Sequence, residues 1–299
     1  MGASRRRWTR KVAGSVRALK IAFLVLTVSL TAAWASERPR RVVSMNLCTD
    51  QLALLLAEPG QIVSVSYLAQ NPATSVLAEE ARQLPSNHGR AEEVFLLHPD
   101  LVLAGTFTSR ASVDMLKRLG FRVEQFEPDY SFADLRSNLL RMGRLLGHDE
   151  QAQEMAAKFN ADLAALRADA SEKPPLGATY YAGGRTSGTG TLTDEILRSA
   201  GWRNLAAELG IRGTGVLPLE LLVMNRPDTV IGGVNFVDKP ALAHQNYRHP
   251  ALLAAIRSGT GITSLPDRFT VCGGPFTIEA VRQLAAERRA RESIPGATP

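Results

Sequence analysis

One local pattern occurs twice in the chain, and it constrains the fold more than any other feature. EEVFLLHPDLVLAG, from Glu92 to Gly105, is typical of a short helix that stops at a proline and leads into an apolar strand. ELLVMNRPDTVIGG, from Glu220 to Gly233, repeats it with the same Glu, Pro, Asp, Val and Gly. Since a helix followed by a strand is part of a βα unit, the repeat predicts two related α/β halves.

The first half alternates between strand and helix patterns. Its β-branched and apolar runs predict strands at 41–46, 61–66, 101–105 and 121–128. A helix opened by Thr49 and Asp50 follows the first strand, because these residues suit the free N–H groups of a first turn. Such alternation is typical of a mainly parallel sheet.

The second half repeats this order after a helical interruption. From Ser131 to Ala170 the apolar residues recur at helical spacing, in one helix that ends at Gly147 and a second helix that follows it. No strand is predicted until Pro174 and Pro175 end the segment. The later elements are a strand at 177–184, a helix opened by Thr193 and Asp194, the second copy of the repeat, a strand at 267–274 and a helix at 278–291.

These patterns predict two α/β lobes, 36–130 and 174–299, joined by a helical connector at 131–173. In open parallel sheets, ligands bind outside the carboxyl ends of the strands. Two lobes that face each other place a cleft between those ends, so we expect a ligand cleft between the lobes.

The N-terminus has the composition of a secretory signal peptide. Residues 1–20 carry seven basic residues and no acid, an apolar run extends from Ile21 to Leu30, and Ala33-Trp34-Ala35 is a small-x-small site. We expect residues 1–35 to be removed after Ala35 and the protein to be periplasmic. A membrane anchor is the alternative, but the segment from Ile21 to Ala35 is shorter than the roughly 20 residues that cross a bilayer. The first cysteine is Cys48, so no lipid anchor is expected at this site.

The charge of the chain follows from this segment. The whole sequence has 35 Lys and Arg against 29 Asp and Glu, a net charge of +6. Without the seven basic residues of the first 35, the balance is 28 against 29, or −1. The basic character belongs to the export signal and indicates neither nucleic acid nor anionic membrane as a partner.

The two cysteines, Cys48 and Cys272, would meet an oxidising compartment, where a disulfide is permitted. The alternative is that each is a small buried apolar residue. The sequence leaves both possibilities open.

Catalytic motifs are missing from the sequence. The five histidines show no HExxH spacing, and no GxSxG elbow is present. The glycine-rich YYAGGRTSGTG, from Tyr180 to Gly190, is neither a dinucleotide nor a Walker loop and is typical of a flexible loop. We therefore predict no catalytic residue, cofactor or metal site. A secreted enzyme that uses the cleft, or a binder of bare metal ions through His and carboxylate clusters, remains an alternative.

The chain resembles the periplasmic substrate-binding proteins for ferric siderophores and vitamin B12 across nearly its whole mature length. The resemblance is carried by RVVSMNLCTDQLALL, GRAEEVFLLHPDLVLAG, TLTDEILRSAGWRNLA, LPLELLVMNRPDTVIGG and HPALLAAIRSG, in this order. It implies two Rossmann-like lobes bridged by a long helix that limits hinge closure. It also implies a monomer that delivers a metal chelate to the permease dimer of an ABC importer.

The resemblance further implies a role for Glu92 and Glu220, one in each lobe, in docking onto basic pockets of the permease. Two carboxylates at equivalent ends of a two-lobed body can form charge-assisted bonds with one partner. The alternative is that each acid only favours its helix dipole, an effect of roughly 0.3–1 kcal/mol. Asp100 and Asp228 are expected to orient the turn before each strand rather than to contact ligand.

Residues at the predicted strand ends are the candidates for ligand contact. Guanidinium groups suit carboxylate or catecholate oxygens, and aromatic rings can line a chelate face, although local packing is the alternative for each ring and a solvated loop for His88. The candidates are Asn46, Tyr67, His88, Arg90, Thr106, Phe107, Tyr181, Arg185, Asn235 and Phe236.

The expected ligand is a ferric siderophore, with cobalamin or another corrinoid as the alternative. Vitamin B12 binders tend to hold the corrin with tryptophans, and the only tryptophan after residue 35 is Trp202. Ser86 and Thr214 stand near the positions where that branch has tryptophans. This departure favours a polar, charged chelate.

Overall fold

The structure of the chain is a computed structural model that describes residues 38–167, 173–232 and 242–293. From Pro39 on, the described residues form one compact unit. The predicted signal peptide lies outside the described residues.

The N-terminal lobe contains one parallel sheet. Its strands run in the order β3-β2-β1-β4-β5 and are β1 (Val42–Ser44), β2 (Ile62–Ser66), β3 (Ser86–Asn87), β4 (Leu101–Gly105) and β5 (Val123–Phe126). The helices of this lobe are α1 (Leu47–Leu56), α2 (Ala78–Arg82), α3 (Ala91–Phe95) and α4 (Arg110–Arg118). The sequence predicts the four longer strands, whereas two-residue β3 lies in a segment that reads as irregular.

Helix α1 begins at Leu47, earlier than the Thr49-Asp50 start predicted from the sequence. Asn46 is the N-cap, and its side chain accepts a hydrogen bond from the Cys48 N–H. Thr49 instead turns inward and bonds the Ser44 hydroxyl at 2.8 Å. Thr49 and Asp50, which resemble capping residues in the sequence, therefore form contacts inside the lobe.

The connector is a pair of helices, α5 (Phe132–Leu146) and α6 (Asp149–Arg167). Ser131 caps α5, and Gly147 ends it in the left-handed conformation, with φ 81°. Gly143 lets the two helices approach, because a Cβ there would lie 2.5 Å from the Ala152 Cβ. The resemblance implies one long helix, whereas the structure has the two helices that the apolar spacing predicts, folded back on each other.

Both connector helices pack against both lobes. In α5, Leu135 lies in the core of the C-terminal lobe, whereas Met142 lies in the core of the N-terminal lobe. In α6, Ala156 joins the N-terminal core and Phe159 the C-terminal core. The pair therefore braces the lobes along its length.

The C-terminal lobe has a parallel sheet in the order β11-β10-β6-β8, with strands β6 (Leu176–Thr179), β8 (Arg203–Asn204), β10 (Thr229–Gly232) and β11 (Gly261–Ser264). A separate antiparallel pair consists of β7 (Arg185–Ser187) and β9 (Thr214–Val216). The helices are α7 (Leu192–Ser199), α8 (Leu205–Glu208), α9 (Leu219–Met224), α10 (Pro250–Arg257) and α11 (Ile278–Glu292).

Three predictions for this lobe are wrong in detail. The strand predicted at 177–184 ends at Thr179, and the glycine-rich segment interpreted as a flexible loop contains β7. The strand predicted at 267–274 is a short 3-10 turn over Asp267–Phe269 followed by irregular backbone. The last strand is instead β11, which directly follows its crossover helix α10.

The described helices include none that is both long enough and apolar enough to cross a membrane.

Candidate functional site

The repeated motif holds each lobe together through its aspartate. Asp100 accepts hydrogen bonds from the backbone N–H groups of Arg40 and Arg41, which lead into β1. Asp228 accepts one at 2.7 Å from the N–H of Leu176, the first residue of β6. Both aspartates therefore fix the chain where the first strand of each lobe begins, whereas the sequence predicts that they orient the turn before their own strand.

The glutamate at the front of each motif copy is exposed. Glu92 lies in the first turn of α3 and Glu220 in the first turn of α9. Within the described ranges, neither carboxylate forms an ion pair. Both are accessible to a partner molecule.

An exposed apolar side chain accompanies each of these glutamates. Leu96 and Met224 stand four residues after Glu92 and Glu220 and are 73% and 75% exposed. Beside Glu92, the side chains of Phe95, Leu96, Met115 and Leu119 line a shallow apolar recess. Because residues four apart share a helix face, each glutamate has an apolar neighbour on its own surface.

A recess of about 220 Å³ lies at the carboxyl ends of the N-terminal sheet. Three of the predicted contact residues line it, Asn46, Thr106 and Phe107. Phe107 is 81% exposed, so its ring is not part of the lobe core. The recess therefore stands where the topology predicts ligand binding.

Local geometry fixes the polar side of this recess. Gly105 ends β4 beside Asn46, and a Cβ on it would lie 2.9 Å from the Asn46 Nδ2. Thr106 follows and donates a hydrogen bond to the Glu127 carboxylate at 3.0 Å. The Asn46 amide is thus held against the backbone at Gly105, and the Thr106 hydroxyl is held by the Glu127 carboxylate.

Asp129 is a lining residue that the sequence does not single out. Its carboxylate accepts hydrogen bonds from Asn138 Nδ2 at 2.8 Å and from the Gly273 N–H at 3.2 Å. Burial raises the pKa of Asp129 to about 6, although these two hydrogen bonds oppose the shift. The residue joins the recess to the connector and to the segment before α11.

The two cysteines meet at this recess. Cys48, in the first turn of α1, and Cys272, between β11 and α11, form a disulfide with 5.1 Å between their Cα atoms. Cys48 and Val271 both line the recess.

Tyr67, His88 and Arg90 form a second group, outside the lining of that recess. The Tyr67 and His88 rings stack, with centroids 5.0 Å apart. His88 donates its backbone N–H to Glu93 at 2.6 Å, and this bond is the main cause of the lowered pKa of Glu93. Arg90 is exposed and precedes α3.

The two candidates of the C-terminal lobe that the structure describes, Tyr181 and Arg185, lie beyond the end of β6. Tyr181 is half-buried, its backbone N–H donates to the Arg185 carbonyl at 2.8 Å, and burial raises the pKa of its phenol. Arg185 is exposed at the start of β7. Asn235 and Phe236 fall outside the described residues.

The eight candidates that the structure describes thus fall into three groups rather than one. Within the described ranges, no three His, Cys, Asp or Glu side chains are grouped as a metal site would require. Lining residues from the loops after β5 and β11, such as Glu127, Asp129 and Val271, had no sequence signal beyond a position near a strand end.

Comparison with known proteins shows which family has this fold of two α/β lobes. The model of the periplasmic binding protein family matches residues 42–258. The chain belongs to the periplasmic binding protein family. A curated relative, the uncharacterized ABC transporter substrate-binding lipoprotein YvrC of Bacillus subtilis (strain 168), is 23% identical over 83% of this chain and 80% of its own length.

Solved structures of periplasmic binding proteins share the fold. The periplasmic heme-binding protein RhuT from Roseiflexus sp. RS-1, in apo form, has a TM-score of 0.69 at 23% identity, over 83% of this chain and 97% of its own. The periplasmic vitamin B12 binding protein BtuF of Vibrio cholerae has a TM-score of 0.65 at 19% identity, over 86% and 99%.

These relationships show that the chain is a substrate-binding protein of the ABC importer class. Proteins of this class are not enzymes. The expected resemblance and the fold of two α/β lobes are confirmed. Family members are exported binding proteins, while cleavage after Ala35 stays a prediction.

Proposed function

We propose that this periplasmic binding protein captures a ferric siderophore and delivers it to the permease of an ABC importer. The observation that carries the proposal is the recess at the carboxyl ends of the N-terminal sheet, with Asn46 and Thr106 at its rim. Membership of the family supports a role in transport, and the recess could bind a small molecule.

The charge of the cleft candidates supports an anionic chelate. Arg90 and Arg185 are both exposed, one in each lobe, and neither guanidinium donates a hydrogen bond to another described residue. A planar guanidinium can bind carboxylate or catecholate oxygens in a bidentate manner. Both arginines are therefore proposed to bind the oxygen-rich face of the chelate.

A flat tetrapyrrole, haem or a corrinoid, is the second candidate. The stacked rings of Tyr67 and His88 and the exposed ring of Phe107 offer aromatic surface to a planar ligand. Phenol and imidazole groups also ligate haem iron in other proteins. Heme and vitamin B12 are the ligands named for RhuT and BtuF, whose folds this chain shares.

Delivery is proposed to use Glu92 and Glu220. Each is exposed at the start of a short helix at equivalent positions in the two lobes. A permease dimer that offers two basic pockets would match this pair of carboxylates.

Native mass spectrometry of the exported protein against ferric siderophores, haem and cobalamin tests the proposal. We expect a one-to-one complex with a ferric siderophore, which Arg90→Gln with Arg185→Gln weakens at least tenfold. Tyr67→Ala with His88→Ala should weaken a tetrapyrrole complex instead. If no member of the panel binds at micromolar concentration, the proposed function is wrong.

A further inference from the structure

The segment from Val271 to Phe276 joins the two lobes a second time. It follows β11 and precedes α11, which both belong to the C-terminal lobe. Cys272 nevertheless lies in the core of the N-terminal lobe, only 2% exposed, and Phe276 packs against the same core. Two residues later Ile278 returns to the core of the C-terminal lobe. The chain thus reaches across to the N-terminal lobe and back within a few residues.

Three features attach this segment to the N-terminal side of the recess. The disulfide links Cys272 to Cys48 in the first turn of α1. The Gly273 N–H donates to Asp129, which Asn138 of α5 also holds. A Cβ on Gly273 would lie 2.5 Å from the Asp129 Oδ2, so a larger residue would push the segment away. Covalent, polar and steric constraints therefore act on two consecutive residues, Cys272 and Gly273.

Val271 is the residue that this attachment presents to the recess. It lines the recess together with Asn46 and Thr106, and its side chain is 53% exposed although Cys272 beside it is buried. An apolar side chain that is left open at the wall of a recess gains most from a ligand that covers it.

We propose that Val271–Gly274 is a fixed wall of the ligand recess, clamped to the N-terminal lobe by the Cys48–Cys272 disulfide and by Asp129. Val271 is then a ligand-contacting residue that limits the width of the recess. The clamp also restricts separation of the lobes on this side. The clamp does not depend on the proposed function, whereas the role of Val271 rests on it.

Hydrogen exchange of the protein tests the clamp without any ligand. We expect the backbone N–H groups of residues 271–274 and 276 to exchange at least tenfold faster in Cys48→Ser with Cys272→Ser than in the wild type. A peptide from α7 (Leu192–Ser199) serves as the internal control and should not change. If the serine variant does not fold, Asp129→Ala keeps the disulfide and should speed exchange at Gly273. Unchanged exchange in a folded variant would overturn the clamp.

Affinity for whichever chelate the wild type binds tests the wall. Val271→Trp should fill the recess and weaken binding at least tenfold. Ile262→Trp is the matched control, because Ile262 is a β-branched residue 46% exposed on β11 and is not among the residues lining the recess. Equal affinity of Val271→Trp and wild type would overturn the role of Val271. If the wild type binds no chelate, the proposed function fails, while the exchange measurement still decides whether the clamp exists.

Discussion

His98 and Arg226 occupy the same position in the two copies of the motif, and both have a positive φ, 46° and 43°. Each precedes the proline and the aspartate that fixes the first strand of its lobe. The Arg41 guanidinium adds a hydrogen bond to the Leu97 carbonyl at 2.7 Å in the N-terminal lobe. The contacts around the turn hold a conformation that residues with a side chain rarely adopt.

Replacement of His98 or Arg226 by glycine should relieve this conformation. Because glycine adopts positive φ without a Cβ clash, we expect each substitution to raise the free energy of unfolding by about 1 kcal/mol. Urea unfolding measures it. His98→Ala and Arg226→Ala keep a Cβ and should give no such gain, and a gain as large for alanine would show that φ is not the cause.

Uptake should depend on Glu92 and Glu220 in a way that ligand binding does not. Glu92→Arg with Glu220→Arg places like charges against the proposed basic pockets of the permease. We expect transport into cells to be abolished, while the affinity of the purified protein for its chelate stays within twofold of wild type.

The control for this charge reversal uses two other exposed acids. Glu150 and Glu154 lie on α6, and Glu150→Arg with Glu154→Arg changes the net charge by the same amount. This control should transport normally. Loss of chelate affinity in the Glu92 and Glu220 variant would contradict a docking role.

Asp50 should make stability depend on pH. It is fully buried, and burial raises its pKa from 3.8 to about 7 despite hydrogen bonds from Ser44 and Ser66. The folded state then keeps a proton that the unfolded chain loses above pH 4. This contribution is complete below about pH 4 and is lost as the pH rises through about 7.

The comparison of wild type with Asp50→Asn isolates this effect. Between pH 4 and 7 the wild type should lose up to about 1.4 kcal/mol of unfolding free energy per pH unit relative to the variant. Urea titrations at several pH values measure the difference. Asp149→Asn, on the exposed start of α6, is the control, and parallel curves for wild type and Asp50→Asn would contradict the prediction.

The sequence predicts the fold where a residue pattern is local. The stop at each proline and the end at Gly147 are short-range signals, and the structure follows them. The segment at 267–274 was predicted wrongly because its β-branched and aromatic residues resemble a strand. Its structure is decided instead by Cys48 and Asp129, far away in sequence.

The sequence predicts only part of the candidate site, because some of its residues are also placed by contacts far away in sequence. Asn46 and Thr106 follow strands, so the topology of a parallel sheet points to them. Val271 lines the same recess only because the chain crosses between the lobes near α11. No local pattern encodes such a crossing, so the sequence leaves the pairing of Cys48 with Cys272 open.

Loss of the disulfide should lower stability measurably. Cys48 and Cys272 are 224 residues apart, and a link across so long a loop restricts the unfolded chain strongly. We expect Cys48→Ala with Cys272→Ala to lower the free energy of unfolding by about 2–5 kcal/mol. Urea unfolding with and without a reductant measures it: the reductant should bring the wild type close to the variant and leave the variant unchanged. A wild type whose urea midpoint is the same with and without reductant would show that the link does not stabilise the fold.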